Sequence, residues 1–189
     1  MGILKVKGWH GTTLKNGNAI LKNGFSIEKV KKTRFGNGIY FYLEEIGKIP
    51  PKELAENWVI YEVLGQRKND RYMILSAISQ CDSSQVIDLR EREDAKAFQH
   101  IQQKIRDDIK KKQFEITGQG SRSVEFYVLE WLKKVLGLKA AIVVQCTQLG
   151  DIKNLGLYIH IPNSVILIVY DCSIIDQATI KEESRGKIK

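Results

Sequence analysis

Two short segments hold residue types that can bind a planar, polar, sugar-bearing ligand: Trp9-His10-Gly11-Thr12-Thr13 and Arg34-Phe35-Gly36-Asn37-Gly38-Ile39-Tyr40-Phe41-Tyr42. The first reads as a strand that ends in a small polar turn. An imidazole at a strand end can offer a ring nitrogen to a sugar hydroxyl. Gly11 has no side chain, so a ligand can reach the backbone N–H and C=O, which pair well with a planar amide. Thr12 adds a hydroxyl. The second segment is a Gly-x-Gly turn that feeds an aromatic strand, and its tyrosine can stack on an aromatic ligand. Each segment alone also has a plain reading, because His-Gly pairs and Gly-x-Gly turns are common in loops without function.

Taken together, His10-Gly11-Thr12, then Ile20 and Gly24-Phe25, then Phe35-Gly36-Asn37-Gly38-Ile39-Tyr40-Phe41 resemble the NAD⁺-binding half of poly(ADP-ribose) polymerase-type ADP-ribosyltransferases. This is the diphtheria-toxin-like or H-Y-E class. Order and spacing agree, including the gap of about 30 residues between His and Tyr. The likeness is specific over residues 10 to 42 and weaker beyond them. It implies an α+β domain with the ADP-ribosyltransferase fold, in which a split antiparallel β-sheet core is surrounded by helices. It also implies that His10 and Tyr40 line one cleft, and that NAD is the co-substrate.

The resemblance implies roles as well. His10 would bind the 2′-hydroxyl of the adenosine ribose, with Thr12 beside it. Gly11 would clamp the nicotinamide carboxamide through its backbone, and Tyr40 would stack beneath the nicotinamide ring. The family closes the other face of that ring with a second aromatic on the helix after the Tyr strand. Here that helix offers Ala55-Glu56-Asn57-Trp58, so Trp58 is the candidate. The alternative for Trp58 is a core position on a Leu54/Trp58/Tyr61 stripe. Ala55 stands near where the family often has a serine that bonds the carboxamide.

Polymer-forming members carry a glutamate near the start of a late strand. Ser164 to Asp171 resembles that strand, and aligning Val169-Tyr170-Asp171 puts Ile166 at the glutamate position. A register through Gly156 to Ile161 puts Tyr158 there instead. Neither is acidic, as in the mono-transferring or inactive members. Glu125 is the candidate stand-in carboxylate, to act with His10 and Tyr40. Its alternative is a structural place on a first helical turn, where the helix dipole favours an anion. Arg122 can grip a pyrophosphate or be solvated surface, while His100 reads as solvent-facing on the polar side of its helix and His160 as structural.

These implications sum to a mono-ADP-ribosyltransferase that modifies a macromolecular acceptor, either protein or nucleic acid. The setting they suggest is a bacterial-type toxin or defence enzyme, with an antitoxin or inhibitor as a further partner. Two other functions remain open at this point: NAD⁺ hydrolysis, and a catalytically inactive module that binds NAD or ADP-ribose.

The elements that must hold these residues follow from periodicity. Ile3 to His10 reads as a strand and Asn18 to Lys22 as a short helix stopped at Asn23-Gly24. Ile39 to Tyr42 is a strand of β-favouring residues. Pro50-Pro51 opens the helix that carries Trp58, since proline suits a first helical position. Strands are expected over Tyr72–Ile78 and Gln85–Leu89, then a helix over Glu93–Lys112 with Phe98, Ile101, Ile105 and Ile109 on one stripe. Ser123 caps a second helix, with Val124, Tyr127, Val128, Trp131, Leu132 and Val135 facing a core and Gly137 ending it. Lys139–Thr147, Gly156–Ile161 and Val165–Tyr170 are further strands, the last apolar enough to lie inside a sheet.

The 189 residues suit one domain, 1–189, with no repeat or linker. A hydrophobic share of 43% and a charged share of 28% exclude a disordered chain. No apolar run is long enough to span a bilayer, and the amino terminus lacks a secretory pattern. Cys81, Cys146 and Cys172 show neither a disulfide framework nor a metal spacing, so no metal is expected and the cytoplasm is the expected location. The net charge of +8 favours an anionic partner such as a dinucleotide or nucleic acid.

Overall fold

Among the described residues, seven strands form one sheet. The computed structural model describes residues 2–29, 35–44, 49–65, 67–111, 123–146 and 163–188. Its strands are β1 (Ile3–Thr13), β2 (Ile39–Leu43), β3 (Arg71–Asp82), β4 (Val86–Asp88), β5 (Ala140–Gln145), β6 (Ser164–Val169) and β7 (Ile175–Lys187). Their order in the sheet is β4-β5-β6-β2-β1-β3-β7, with β4–β5 parallel and the other pairs antiparallel.

The sheet is divided at its middle. β1 pairs with β3 along its whole length, from Ile3↔Asp82 to Thr13↔Tyr72. β1 pairs with β2 only at Gly8↔Leu43 and Trp9↔Tyr42. β2 meanwhile stays paired with β6 from Ile39↔Val169 to Leu43↔Val165. The β1–β2 seam is therefore closed at one end and unpaired from His10 onward. One half-sheet is β4-β5-β6-β2 and the other is β1-β3-β7, which is the expected split core. β6 lies between β5 and β2 with all six residues buried, as its apolar sequence requires.

Helices cover both faces. α1 (Leu14–Asn23) is capped by Thr13, whose Oγ1 accepts the Asn16 N–H at 3.2 Å, and it stops at Gly24 with φ 76°. α2 (Pro51–Trp58) starts with proline at its first position and runs into a π turn, Val59–Val63. α3 (Arg92–Lys110) and α4 (Val124–Leu136) pack on each other. Ser123 caps α4, and Gly137 ends it in the left-handed region at φ 63°. One face of the sheet buries Tyr42, Ile74, Val143, Ile166 and Ile168 against Leu54 and Val59, Phe98, and Val128 and Leu129. The other face buries Phe41, Leu43, Met73, Leu75 and Leu167 with Phe25 and Ile174. Gly17 lets α1 close on this second face, where a Cβ would stand 2.5 Å from the Met73 sulfur.

Four expectations change. β1 continues past His10 to Thr13 because β3 keeps pairing with it, so His10 lies inside a strand and α1 begins at Leu14. β7 is a strand that its charge hides: Lys181, Glu182, Glu183, Arg185 and Lys187 suit a sheet edge, where charge discourages further pairing. α4 is rotated from its expected face. It buries Phe126, Val128, Leu129 and Leu132 and leaves Trp131 43% and Val135 57% exposed. Apolar residues surround that helix on several sides, so its pattern alone does not choose the core face. The Leu54/Trp58/Tyr61 stripe does not form either, since Leu54 is buried while Trp58 is 37% exposed. The expected strand 156–161, Tyr158, His160 and Arg122 lie outside the described residues.

Candidate functional site

Residues directly opposite on neighbouring strands share a face. The pair Trp9↔Tyr42 thus sets the rest by alternation. Gly11 and Tyr40 belong to the face covered by α2, while His10 and Phe41 belong to the other face. Contacts agree. Tyr40 packs with the α2-side core. The His10 ring meets Phe25 edge-on at 5.4 Å and Phe41 at 5.8 Å. The expected arrangement, with both rings lining one cleft, is therefore corrected. The two residues leave opposite faces because their strands pair with His10 one position out of phase with Tyr40.

His10 and Tyr40 still meet, through ring and backbone. His10 Nδ1 lies 2.9 Å from the Tyr40 carbonyl oxygen. A carbonyl only accepts, so Nδ1 carries the hydrogen and Nε2 is left as an acceptor. The ring thus stands in the seam where the ladder between β1 and β2 has stopped. Burial lowers the His10 pKa below its ordinary 6.5, and the bond to Tyr40 raises it by less. The imidazole is accordingly neutral at neutral pH, with an acceptor suited to a hydroxyl donor. Thr12 follows on the same face, buried opposite Met73.

Gly11 is required by a close approach. A Cβ there would stand 2.1 Å from the Ala55 carbonyl oxygen and 3.1 Å from Val59 Cβ. α2 therefore rests directly on the β1 backbone beside Tyr40. Two side chains on the far side of α2 hold it there. Lys52 Nζ donates to the Glu183 carbonyl at 3.1 Å, and Tyr72 donates its phenol hydrogen to Glu56. Burial, with Glu56 adding to it, pushes the Tyr72 phenol up to about 12. Trp58 ends α2 and is half-exposed.

Tyr40 is fixed by its own turn. Its hydroxyl accepts the Phe35 N–H and donates to the Gly36 carbonyl, each at 3.1 Å. Tyr170 donates to the Phe35 carbonyl at 3.0 Å. Burial holds the Tyr170 phenol well above its ordinary value, with Tyr40 and Glu130 contributing. Gly36 takes φ 104°, a conformation that favours glycine. Gly38 is pressed on β6, where a Cβ would lie 2.6 Å from Ile168 Cγ2.

The carboxylate beside this turn is one that sequence reasoning missed. Glu130 Oε1 accepts the Asn37 N–H at 3.2 Å, and Lys133 pairs with Glu130 at 3.4 Å. Glu125, the sequence candidate, sits on the first turn of α4 and accepts from Gln102 Nε2 at 3.1 Å. That contact ties α4 to α3. The Glu130–Asn37 contact spans 93 residues and belongs to no local motif, so no sequence signal reveals it. Ile166 lies on β6 opposite Tyr42 and is 2% exposed. His100 is exposed on α3.

Among the described residues, no His/Cys/Asp/Glu group is placed to hold a metal, and no helix is long and apolar enough to cross a membrane. The family model of the poly(ADP-ribose) polymerase catalytic domain matches residues 5–124. That stretch includes both motifs, α1, α2 and α3. No curated protein matches the chain.

Proposed function

The chain belongs to the poly(ADP-ribose) polymerase catalytic-domain family, and from that premise we propose that it transfers single ADP-ribose units to a macromolecular acceptor without building chains. As a member of that family it is an ADP-ribosyltransferase that uses NAD as co-substrate. The observation that carries the mono-transfer reading is Ile166. It stands where the resemblance places the chain-elongating glutamate, two residues along β6 from Ile168, the partner of Tyr40, and it is buried aliphatic. Elongation needs a carboxylate to orient and deprotonate a ribose hydroxyl, and isoleucine offers no acceptor.

The arrangement suits NAD. His10 Nε2 is free to accept the 2′-hydroxyl of the adenosine ribose. On the opposite face, the resemblance assigns nicotinamide to the Gly11 backbone, the Tyr40 ring and the Trp58 ring. The Tyr40 hydroxyl is engaged by its turn, so it is the ring face that serves. In the reaction, the bond between C1′ of the ribose and the nicotinamide nitrogen breaks. Nicotinamide leaves with the bonding pair, and the acceptor nucleophile bonds to C1′ and loses its proton. The protein's part is to fix both ends of the dinucleotide around that bond, which is catalysis by orientation and electrostatic preorganisation.

The net charge of +8 supports an anionic partner, and both protein and nucleic acid serve as acceptor classes to test. Because NAD is an intracellular metabolite, the reaction is proposed to run in a cytoplasm. Modification of an essential macromolecule is the toxin or defence setting that suits it, and a producing cell would then need an antitoxin or inhibitor. The test uses labelled NAD and a cell extract, with nuclease and protease arms to assign the acceptor. Mass increments of one ADP-ribose per site are expected. A ladder of units on one site would refute mono-transfer, and nicotinamide release without labelled acceptor would show hydrolysis instead.

A further inference from the structure

We propose that Glu130 is a positioning residue for the Tyr40 site, holding the Phe35–Gly38 turn through the Asn37 N–H so that the Tyr40 ring is set before ligand arrives. This rests on the proposed nicotinamide-stacking role of Tyr40.

Three elements grip this turn with side chains. From β2, the Tyr40 hydroxyl bridges the Phe35 N–H and the Gly36 carbonyl. From the end of β6, Tyr170 donates to the Phe35 carbonyl. From α4, Glu130 accepts the Asn37 N–H. Because Tyr40 is bonded to the same turn that Glu130 holds, a shift of the turn carries the Tyr40 phenol with it. The carboxylate also lies against the turn itself, since a Cβ on Gly36 would come within 3.0 Å of Glu130 Oε1. Lys133, one helical turn on, keeps the carboxylate in place and also lies 5.3 Å from the centre of the Tyr170 ring.

The plain alternative is a solvated i,i+3 ion pair on a helix surface. Such pairs contribute little and leave the backbone of other elements alone. Here one oxygen of the pair is committed to a backbone N–H 93 residues away. Glu130 also lies beyond the stretch that the family model matches, on α4.

The test compares Glu130→Ala, Glu130→Gln and Lys133→Ala in the full chain. Hydrogen exchange of the peptide spanning residues 35–41 reads the turn independently of activity. KM and kcat for nicotinamide release read the site, and thermal melting reads the fold. Glu130→Ala is expected to speed exchange at Asn37 and to raise the NAD KM about tenfold, the loss of one charge-assisted hydrogen bond. kcat should stay within about twofold. Glu130→Gln keeps a carbonyl that accepts the Asn37 N–H and should restore the KM to within about threefold. Lys133→Ala should fall between them. Unchanged exchange and KM in Glu130→Ala would overturn the proposal, as would a Gln variant as impaired as Ala. If the wild-type chain releases no nicotinamide while Glu130→Ala still speeds exchange at Asn37, the catalytic reading fails and the clamp stands.

Discussion

Replacing Gly11 with alanine is the sharpest available perturbation of the site. The added Cβ would stand 2.1 Å from the Ala55 carbonyl oxygen, 3.0 Å from Ala55 C and 3.1 Å from Val59 Cβ, where ordinary contact starts at 3.4 Å. The obstacle is helix backbone, which cannot rotate aside as a side-chain tip can. α2 must therefore retreat from β1 by about 1 Å, and buried Leu54, Ala55 and Val59 move with it. Overpacking of this kind costs about 1–3 kcal/mol. Gly11 does not occupy the left-handed region, so backbone strain adds nothing. With a urea slope of about 2 kcal/mol/M, the unfolding midpoint should fall by about 1 M. The same retreat displaces Trp58 and the Gly11 backbone relative to Tyr40, and a misplacement of about 1 Å can cost on the order of a hundredfold in rate. Gly65→Ala is the control. Its Cβ meets nothing within 4 Å, but its φ of 57° makes alanine strained. It should lose about 1 kcal/mol of stability and keep its NAD turnover. A Gly11→Ala protein as stable and as active as wild type would show that α2 does not rest on β1 as described.

Tyr40→Phe removes the hydroxyl shared by Phe35 and Gly36, so it should cost about 1–2 kcal/mol in urea unfolding and raise the NAD KM; an unchanged midpoint would count against the turn clamp. His10 stays unprotonated in the folded chain at pH values where the unfolded chain takes up a proton. Its contribution to stability is therefore present above about 6.5 and is lost as pH falls toward the lowered folded pKa, and His10→Gln should flatten that slope in unfolding measured from pH 7 to 5. Ile166→Glu buries a carboxylate beside Tyr42 and Val143 and should destabilise by about 3 kcal/mol or more at pH 7, with less loss at pH 5 as the group protonates. A stable Ile166→Glu protein that builds ADP-ribose chains would contradict the burial of this position.

The local pattern of the two motifs was legible in the sequence: His10-Gly11 lies in a strand, and Gly36 to Phe41 is a turn that feeds one. Element boundaries set by caps were legible too: Thr13 aside, Gly24, Pro51, Ser123 and Gly137 each mark an end by local chemistry. What failed depends on partners distant in sequence. β1 runs on to Thr13 only because β3 is there to pair with it. β7 is a strand because β3 offers an edge, and nothing in its charged sequence says so. The contact of Glu130 with the Asn37 N–H is set by the rotation of α4, which the packing of Val128, Leu129 and Leu132 decides, so no local pattern marks it.

The placement of His10 and Tyr40 on opposite faces changes how the site must work. Two rings on one face would make a pocket, and binding would depend on the distance between them. Here the proposed adenosine and nicotinamide places fall on different faces of the sheet, on either side of the seam where β1 and β2 are no longer paired. The opening of that seam is set by the two pairs that close it, Gly8↔Leu43 and Trp9↔Tyr42, and by the 2.9 Å bond from His10 Nδ1 to the Tyr40 carbonyl. His10 thus has a structural part that is separate from its proposed part in binding ribose: its Nδ1 bonds the Tyr40 carbonyl across the seam. Asparagine can supply an N–H donor to the Tyr40 carbonyl but is shorter than imidazole, so it would draw the half-sheets together. A substitution there should therefore weaken both ends of NAD binding at once, whereas loss of Trp58 should weaken only the nicotinamide end and leave ADP-ribose affinity intact.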